Sequence, residues 1–300
     1  MTQITLGESH NPPDHPAIAG SSTCVSPPSD GTVFPDRPTL SITKRMIREM
    51  WEALLSLVYP PHCLACRAPL EDGPGGLCPT CWERLEMIEG PVCDRCGCPS
   101  RIVSPVCENC RDKAFRFARM RCLAPFGPEI QDLVHGLKYQ GRVSVARDLG
   151  RRLGYSLSCC GFAARVDLLH PVPLHGARRR ERGYNQSTLI ARAVSETLHI
   201  PVRTGLLSRT RQTVTQTGLD LAARAENVKD AFRVRKVAGV SGMRILLVDD
   251  VITTGATCSA CADALLAAGA REVSVAALAS PYFDAQSGPQ DQPGKTAPKY

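Results

Sequence analysis

Apolar positions along the chain follow two different periods. Over residues 43–60, Ile47, Met50, Trp51, Leu54, Leu55 and Val58 recur at helical spacing, with Lys44, Arg48, Glu49 and Glu52 on the other face and Pro60-Pro61 closing the run. This pattern predicts one amphipathic helix, and its mixed charge favours packing on a neighbouring domain over lying on a membrane surface. Beyond residue 120 short apolar runs alternate with amphipathic ones. Residues 121–126, 166–169, 202–207, 244–248 and 273–278 read as strands; 129–139, 143–158, 187–198 and an Ala-rich stretch starting near Thr257 read as helices. Strands separated by helices predict an α/β fold, a parallel sheet flanked by helices, over residues 120–282.

The remaining segments lack either period. Residues 1–42 and 283–300 are rich in Pro, Ser, Thr and Gly and read as disordered tails, with Cys24 a bystander. The first of them lacks the basic start and apolar stretch of a secretory leader. No run reaches the ~18 apolar residues of a membrane-spanning helix.

Residues 61–119 hold eight of the chain's 15 cysteines in four Cys-x-x-Cys pairs: Cys63/Cys66, Cys78/Cys81, Cys93/Cys96 and Cys107/Cys110. Two residues between thiolates let a tight turn aim both sulfurs at one tetrahedral ion, and two pairs complete a closed Cys₄ site. The region therefore reads as a small N-terminal zinc-ribbon domain with one or two structural Zn²⁺. Sequential pairing makes a double ribbon; crossed pairing stays open because the spacers are similar. Cys98, beside the third pair, reads as spare. A closed site has no open position for a reacting water, so metal catalysis is not expected there. Zinc thiolates also favour a reducing compartment, and a cytoplasmic location is expected.

Composition narrows the partners. The 43% hydrophobic content suits an ordinary core, and 5% aromatic content argues against an extensive platform of stacked rings. A formal charge of +7 favours anionic partners, but eight thiolates holding two Zn²⁺ reduce it to about +3, so basic character matters only locally. One basic, aromatic stretch follows Cys110: Arg111, Lys113, Phe115, Arg116, Phe117, Arg119 and Arg121. It suits nucleic-acid contact, or a strand whose two phenylalanines face a core.

The strongest chemical signal is Arg244-Ile-Leu-Leu-Val-Asp249-Asp250-Val-Ile-Thr253-Thr254-Gly255-Ala256-Thr257. An apolar strand ends in two carboxylates, passes a hydroxyl-rich turn and enters a helix. Backbone N–H groups at that helix start form a phosphate cradle. Carboxylates at the carboxyl edge of a parallel sheet can accept from paired ribose hydroxyls and hold hydrated Mg²⁺. Adjacent aspartates without a partner would be costly there. A Walker A lysine loop and a dinucleotide fingerprint are both absent. The segment resembles the phosphoribosyl pyrophosphate (PRPP) signature of type I phosphoribosyltransferases. With His170-Pro-Val-Pro173-Leu174-His175, the Arg178, Arg179, Arg180, Arg182, Gly183, Tyr184, Asn185, Gln186 cluster, Leu137-Lys138-Tyr139 and the cysteine pairs, the chain resembles the ComF family, which joins a zinc ribbon to a phosphoribosyltransferase domain.

That resemblance implies roles. Asp249 and Asp250 would contact the ribose hydroxyls of PRPP and its Mg²⁺. Thr253, Thr254, Gly255, Ala256 and Thr257 would hold the 5′-phosphate, and the loop carrying Pro173 and Leu174 would meet pyrophosphate. Residues 208–219 would form a mobile hood whose Arg209 and Arg211 close over it. Transfer would pass through a ribosyl cation, the departing pyrophosphate neutralised by Mg²⁺ and arginines. His170, His175 and Lys138 are candidate bases by location alone, and Lys138 reads equally well as a salt-bridge residue. His135 reads as a solvated or core histidine. Three functions compete: handling of incoming single-stranded DNA in natural transformation, with Arg178, Arg179, Arg180 and Arg182 on the strand and an uptake helicase or translocation machinery as partner; catalytic phosphoribosyl transfer to an unidentified base; and PRPP sensing without turnover.

Overall fold

The computed structural model describes residues 62–70, 76–99, 106–111, 115–210, 231–235 and 239–281. The helix expected at 43–60, both tails and most of the hood lie outside the described residues.

The two cysteine-rich units repeat one backbone plan. A bridge between His62 and Pro69 closes the first turn, and one between Val92 and Pro99 closes the second. Four residues past the leading cysteine, Arg67 and Gly97 both take left-handed backbone, at φ 64° and 71°. Glycine is required at the second position, because a Cβ there would lie 2.7 Å from the Met120 carbonyl oxygen. The later cysteine pair of each unit sits on or beside a short helix, α1 (Pro79–Arg84) and α2 (Glu108–Arg111).

The chain then builds β1 (Met120–Pro125), α3 (Pro128–Tyr139), α4 (Ser144–Cys159), β2 (Leu168–Pro171), α5 (Gly176–Arg182), α6 (Gln186–Leu198), β3 (Leu207–Arg209), β4 (Phe232–Val234), β5 (Arg244–Val251), α7 (Ala256–Ala267) and β6 (Glu272–Ser280). Four strands form one parallel sheet in the order β1-β6-β5-β2, and β3 and β4 form a separate antiparallel pair. The central strand β5 is buried on both faces, hence its near-continuous apolar run. Leu246 and Val248 enter a core shared with α3, α4 and α6, while Ile245 and Leu247 enter a core shared with α7.

Both cores extend into the cysteine-rich units. Cys63, Leu64, Leu77, Cys81 and Leu85 pack in the first core. Cys93, Cys96 and Cys110 join Phe117 and Met120 in the second. Ile88 N–H donates to the Leu123 carbonyl, and Met120 N–H to the Arg95 carbonyl, both at 2.9 Å. The Arg152 guanidinium lies 4.3 Å from the centre of the Trp82 ring. Part of the basic stretch after Cys110 is engaged within the molecule: Phe117 is buried and Arg119 and Arg121 lie over the Phe162 ring, while Arg116 pairs with Asp263 at the surface and Arg111 is exposed.

The strand expected over residues 202–207 does not form as one element. Leu169 N–H donates to the Pro201 carbonyl and Arg203 N–H to the Leu169 carbonyl, leaving one bridge at Val202. The exposed Thr204-Gly205 turn then carries the chain off the sheet edge, and pairing resumes only at Leu207. This hand-off sets β3 against β4, apart from the parallel sheet.

Candidate functional site

The topology itself creates a crevice. β2 leads to α6 on one face of the sheet and β5 leads to α7 on the other, so the connections diverge between the carboxyl ends of two neighbouring strands. Open α/β sheets bind ligands at this switch point. Asp249 and Asp250 lie at that place near the end of β5, where Asp249 is in register with the small Ala277 of β6 and the final residue, Val251, with Ala279.

The two carboxylates have different surroundings. Asp249 Oδ1 accepts from the Ser187 hydroxyl and from the Asp250 N–H, both at 2.9 Å. Burial and the neighbouring Asp250 charge push the Asp249 carboxyl up to about 7, against the pull of those two donors and of Lys138. The Asp250 side chain is 6% exposed, and its Oδ2 lies 3.0 Å from Lys138 Nζ. The contact is ionic in geometry, since Oδ2 receives no well-angled hydrogen bond. Two adjacent acids at the carboxyl end of β5 thus share one nearby ammonium, an arrangement that suits a divalent cation or sugar hydroxyls.

The following loop presents a concave backbone. Gly255 takes φ +75°, and Thr254 Oγ1 accepts from the Ala256 N–H at 3.3 Å, fixing the first turn of α7. Thr253, Thr254, Ala256 and Thr257 are partly exposed around it. A Cβ on Gly255 would meet Phe115 Cε1 at 3.0 Å, and Phe115 stacks on Phe117 with ring centres 4.8 Å apart. The loop is therefore backed by the segment that leaves the second cysteine-rich unit.

The β2 side supplies the opposite wall. Val172 N–H donates to the Val248 carbonyl, Asn185 Nδ2 donates to the Val172 carbonyl, and Pro173 and Leu174 are partly exposed. His175 Nδ1 accepts the Ala177 N–H and caps α5, so it is a helix cap. His170 is fully buried, its Nε2 accepts the Leu207 N–H at 3.1 Å, and burial lowers its pKa to about 4. It is a neutral joint between β2 and β3, which removes it as a candidate base. His135 is exposed on α3. Arg209 lies 5.5 Å from the Phe232 ring centre. Burial is the main influence drawing its pKa below the ordinary value; Arg178 adds to the effect, while Cys261 and Asp249 oppose it. Arg178, Arg209 and Asp249 thus share one electrostatic neighbourhood. Arg179 and Arg180 are exposed, and Arg182 turns back to Gln186 and Tyr139. Arg211 lies outside the described residues.

Two further clusters lie away from the crevice. The sulfurs of Cys63, Cys66, Cys78 and Cys81 fall within 4.8 Å of one another, as do those of Cys93, Cys96, Cys107 and Cys110, so sequential pairing holds. Sγ atoms of Cys66 and Cys78, and of Cys96 and Cys107, are 3.6 Å apart, a span that four thiolates around Zn²⁺ adopt. Burial pushes the Cys63 thiol up, but N–H groups of Cys66, Cys78 and Ala65 outweigh it and bring it to about 6. Cys93 falls to about 7 in the same way, and Cys107 N–H lies 3.3 Å from its sulfur. Burial and neighbouring sulfurs push Cys81 up to about 12. Four thiols held this close cannot all ionise without a cation, so the donor set fits zinc.

Residues 54–111 match the double zinc ribbon domain family, and residues 132–299 match the phosphoribosyl transferase domain family. The DNA utilization protein YhgH of Escherichia coli K12 is 34% identical over 222 residues, 73% of this chain and 96% of that protein. Competence protein F of Haemophilus influenzae is 30% identical over the same shares. The chain belongs to the ComF family. Among solved structures, the glutamine PRPP amidotransferase from B. subtilis complexed with ADP and GMP aligns at a TM-score of 0.31 and 25% identity, over 45% of this chain and 26% of that chain.

In this ComF family member, sequence reasoning did not foresee Ser187 as the donor to Asp249 or Lys138 as the partner of Asp250. Ser187 follows the Asn185 cap at the start of α6, and only the fold brings it across 62 positions to β5. Lys138 stood in a recognisable triplet, yet nothing in its neighbours indicated which acid it would meet.

Proposed function

We propose that the crevice binds PRPP with Mg²⁺ and that the chain couples this binding to the handling of single-stranded DNA. The observation that supports it is the half-neutralised pair Asp249 and Asp250 at the switch point, facing a backbone-lined loop at the start of a helix. In this reading Asp249 and Asp250 accept from the ribose hydroxyls, Ser187 orients Asp249, and Lys138 orients Asp250. N–H groups from Thr254 to Thr257 take the 5′-phosphate. Arg178, on the helix that follows the Pro173-Leu174 loop, and its electrostatic neighbour Arg209 would meet the pyrophosphate. Mg²⁺ bound with the ligand would offset the pyrophosphate charge. The zinc ribbons serve as structural staples on both faces of the sheet.

The DNA context comes from the relatives' names, a DNA utilization protein and a competence protein. Turnover and sensing use the same cradle and divide on chemistry. Equilibrium dialysis of labelled PRPP with Mg²⁺, alongside a pyrophosphate-release assay with single strands and free bases as acceptors, tests the reading. Binding with release supports transfer, binding without release supports sensing, and absence of binding rejects both.

A further inference from the structure

Tyr139 is 59% exposed, more than any other large hydrophobic side chain among the described residues. It is also held in place. The Arg182 guanidinium lies 4.9 Å from its ring centre, with Arg182 Nη2 placed 3.4 Å from the phenol oxygen. His135, one turn earlier on α3, tilts against the ring at 4.9 Å. Arg182 is in turn fixed by Gln186 Oε1 at 3.2 Å, and the Tyr184 hydroxyl donates to the Leu137 carbonyl, tying α3 to the turn after α5. An exposed ring braced in this way presents a stacking surface at little ordering cost.

Its address is specific. The preceding residue, Lys138, is the one that pairs with Asp250 at 3.0 Å. The ring thus stands one residue along α3 from the lysine that meets Asp250, and Arg182, which holds it, ends the helix α5 that also carries exposed Arg179 and Arg180, with Glu181 as the acid among them. A rigid aromatic beside arginines, with a sugar-binding acid pair adjoining, is the combination that holds a base by stacking and its phosphates by charge.

We infer that Tyr139, braced by Arg182 and His135, is a stacking site for a nucleobase beside the ribose carboxylates. The inference rests on reading Asp249 and Asp250 as those carboxylates, and it names the acceptor side of the same crevice. The base comes from a single strand or from a free nucleotide, and the test separates the two.

The experiment is fluorescence anisotropy of the full zinc-loaded chain on labelled oligo-dT and on an abasic oligonucleotide of equal length, with dTMP as competitor, for wild type, Tyr139→Ala and Tyr139→Trp. Tyr139→Ala should weaken oligo-dT binding by about tenfold, the scale of one lost base stack, and leave the abasic strand unaffected. Tyr139→Trp should retain wild-type affinity. Competition by dTMP that also depends on Tyr139 assigns the site to free nucleotides, and lack of competition assigns it to the strand. Equal loss on both oligonucleotides, no loss on either, or a wild type that binds neither oligo-dT nor dTMP overturns the inference. PRPP binding measured on the same wild-type preparation judges the carboxylate reading separately.

Discussion

Removing the Lys138 charge by Lys138→Met leaves Asp250 buried without its cation. At 3.0 Å the pair attracts by about 5.5 kcal/mol at an effective dielectric near 20. Breaking a buried pair by deleting one partner costs roughly 3–5 kcal/mol, because the remaining charge stays desolvated. The carboxyl pair can relieve that cost by taking a proton, which makes it depend on pH. Asp249 has its folded pKa raised from 3.8 to about 7, so its contribution to stability is full below about pH 4 and is lost as the pH rises through 7. Lys138 is one of the groups holding that value down, and without it the pair retains its proton to higher pH. Melts at pH 5.5 should therefore show a small difference between wild type and Lys138→Met, and melts at pH 8 a large one. A cost near 3 kcal/mol corresponds to about 6–12 °C in Tm for a domain of this size. Lys138→Met/Asp250→Asn should recover most of the loss, and added Mg²⁺ should stabilise the single variant more than the wild type. A Tm difference independent of pH, or no recovery in the double variant, would refute the reasoning.

Gly255→Ala should destabilise the chain by roughly 1–3 kcal/mol in urea titrations, since it forces a side chain into φ +75° and against Phe115; Phe115→Ala should relieve only the steric share. Zinc stripping, or Cys63→Ser and Cys93→Ser with metal content measured, should lower the stability of the whole chain in one transition, because each ribbon is part of a sheet core. His170 should show a neutral imidazole by NMR from pH 5.5 to 8, and His170→Ala should cost about 1–3 kcal/mol by leaving the Leu207 N–H unpaired.

What could be read in advance follows the range of the interactions. The β5 run and its terminal aspartates are local: strand, turn and helix start lie within 14 consecutive residues, and the topology then placed them at the switch point. The cysteine pairs were legible because metal geometry constrains spacing, but similar spacers left their partnership open until the backbone brought the sequential pairs together. Residues 202–207 misled because β-propensity does not register an edge: Pro201 and Gly205 allow a single bridge before the chain departs. His170 was a candidate base by location alone, beside a proline loop, and its burial against Leu207 shows a joint. The docking of the two ribbons in opposite cores was invisible, since it joins residues such as Leu64 to Leu133 and Leu137 that no local pattern relates.

Asp249 and Asp250 are the residues on which binding of a ribose phosphate with a divalent cation depends most in the proposed function. Calorimetric titration of Mg²⁺ and PRPP into wild type and Asp249→Asn/Asp250→Asn, at pH 7 in two buffers of different ionisation heat, measures affinity and proton release together. With Asp249 near its midpoint, wild type should bind one PRPP per chain and release about half a proton more than the variant, whose affinity should fall at least roughly tenfold. Equal affinity and equal proton release in the two proteins, or no binding to the wild type, would contradict the assignment.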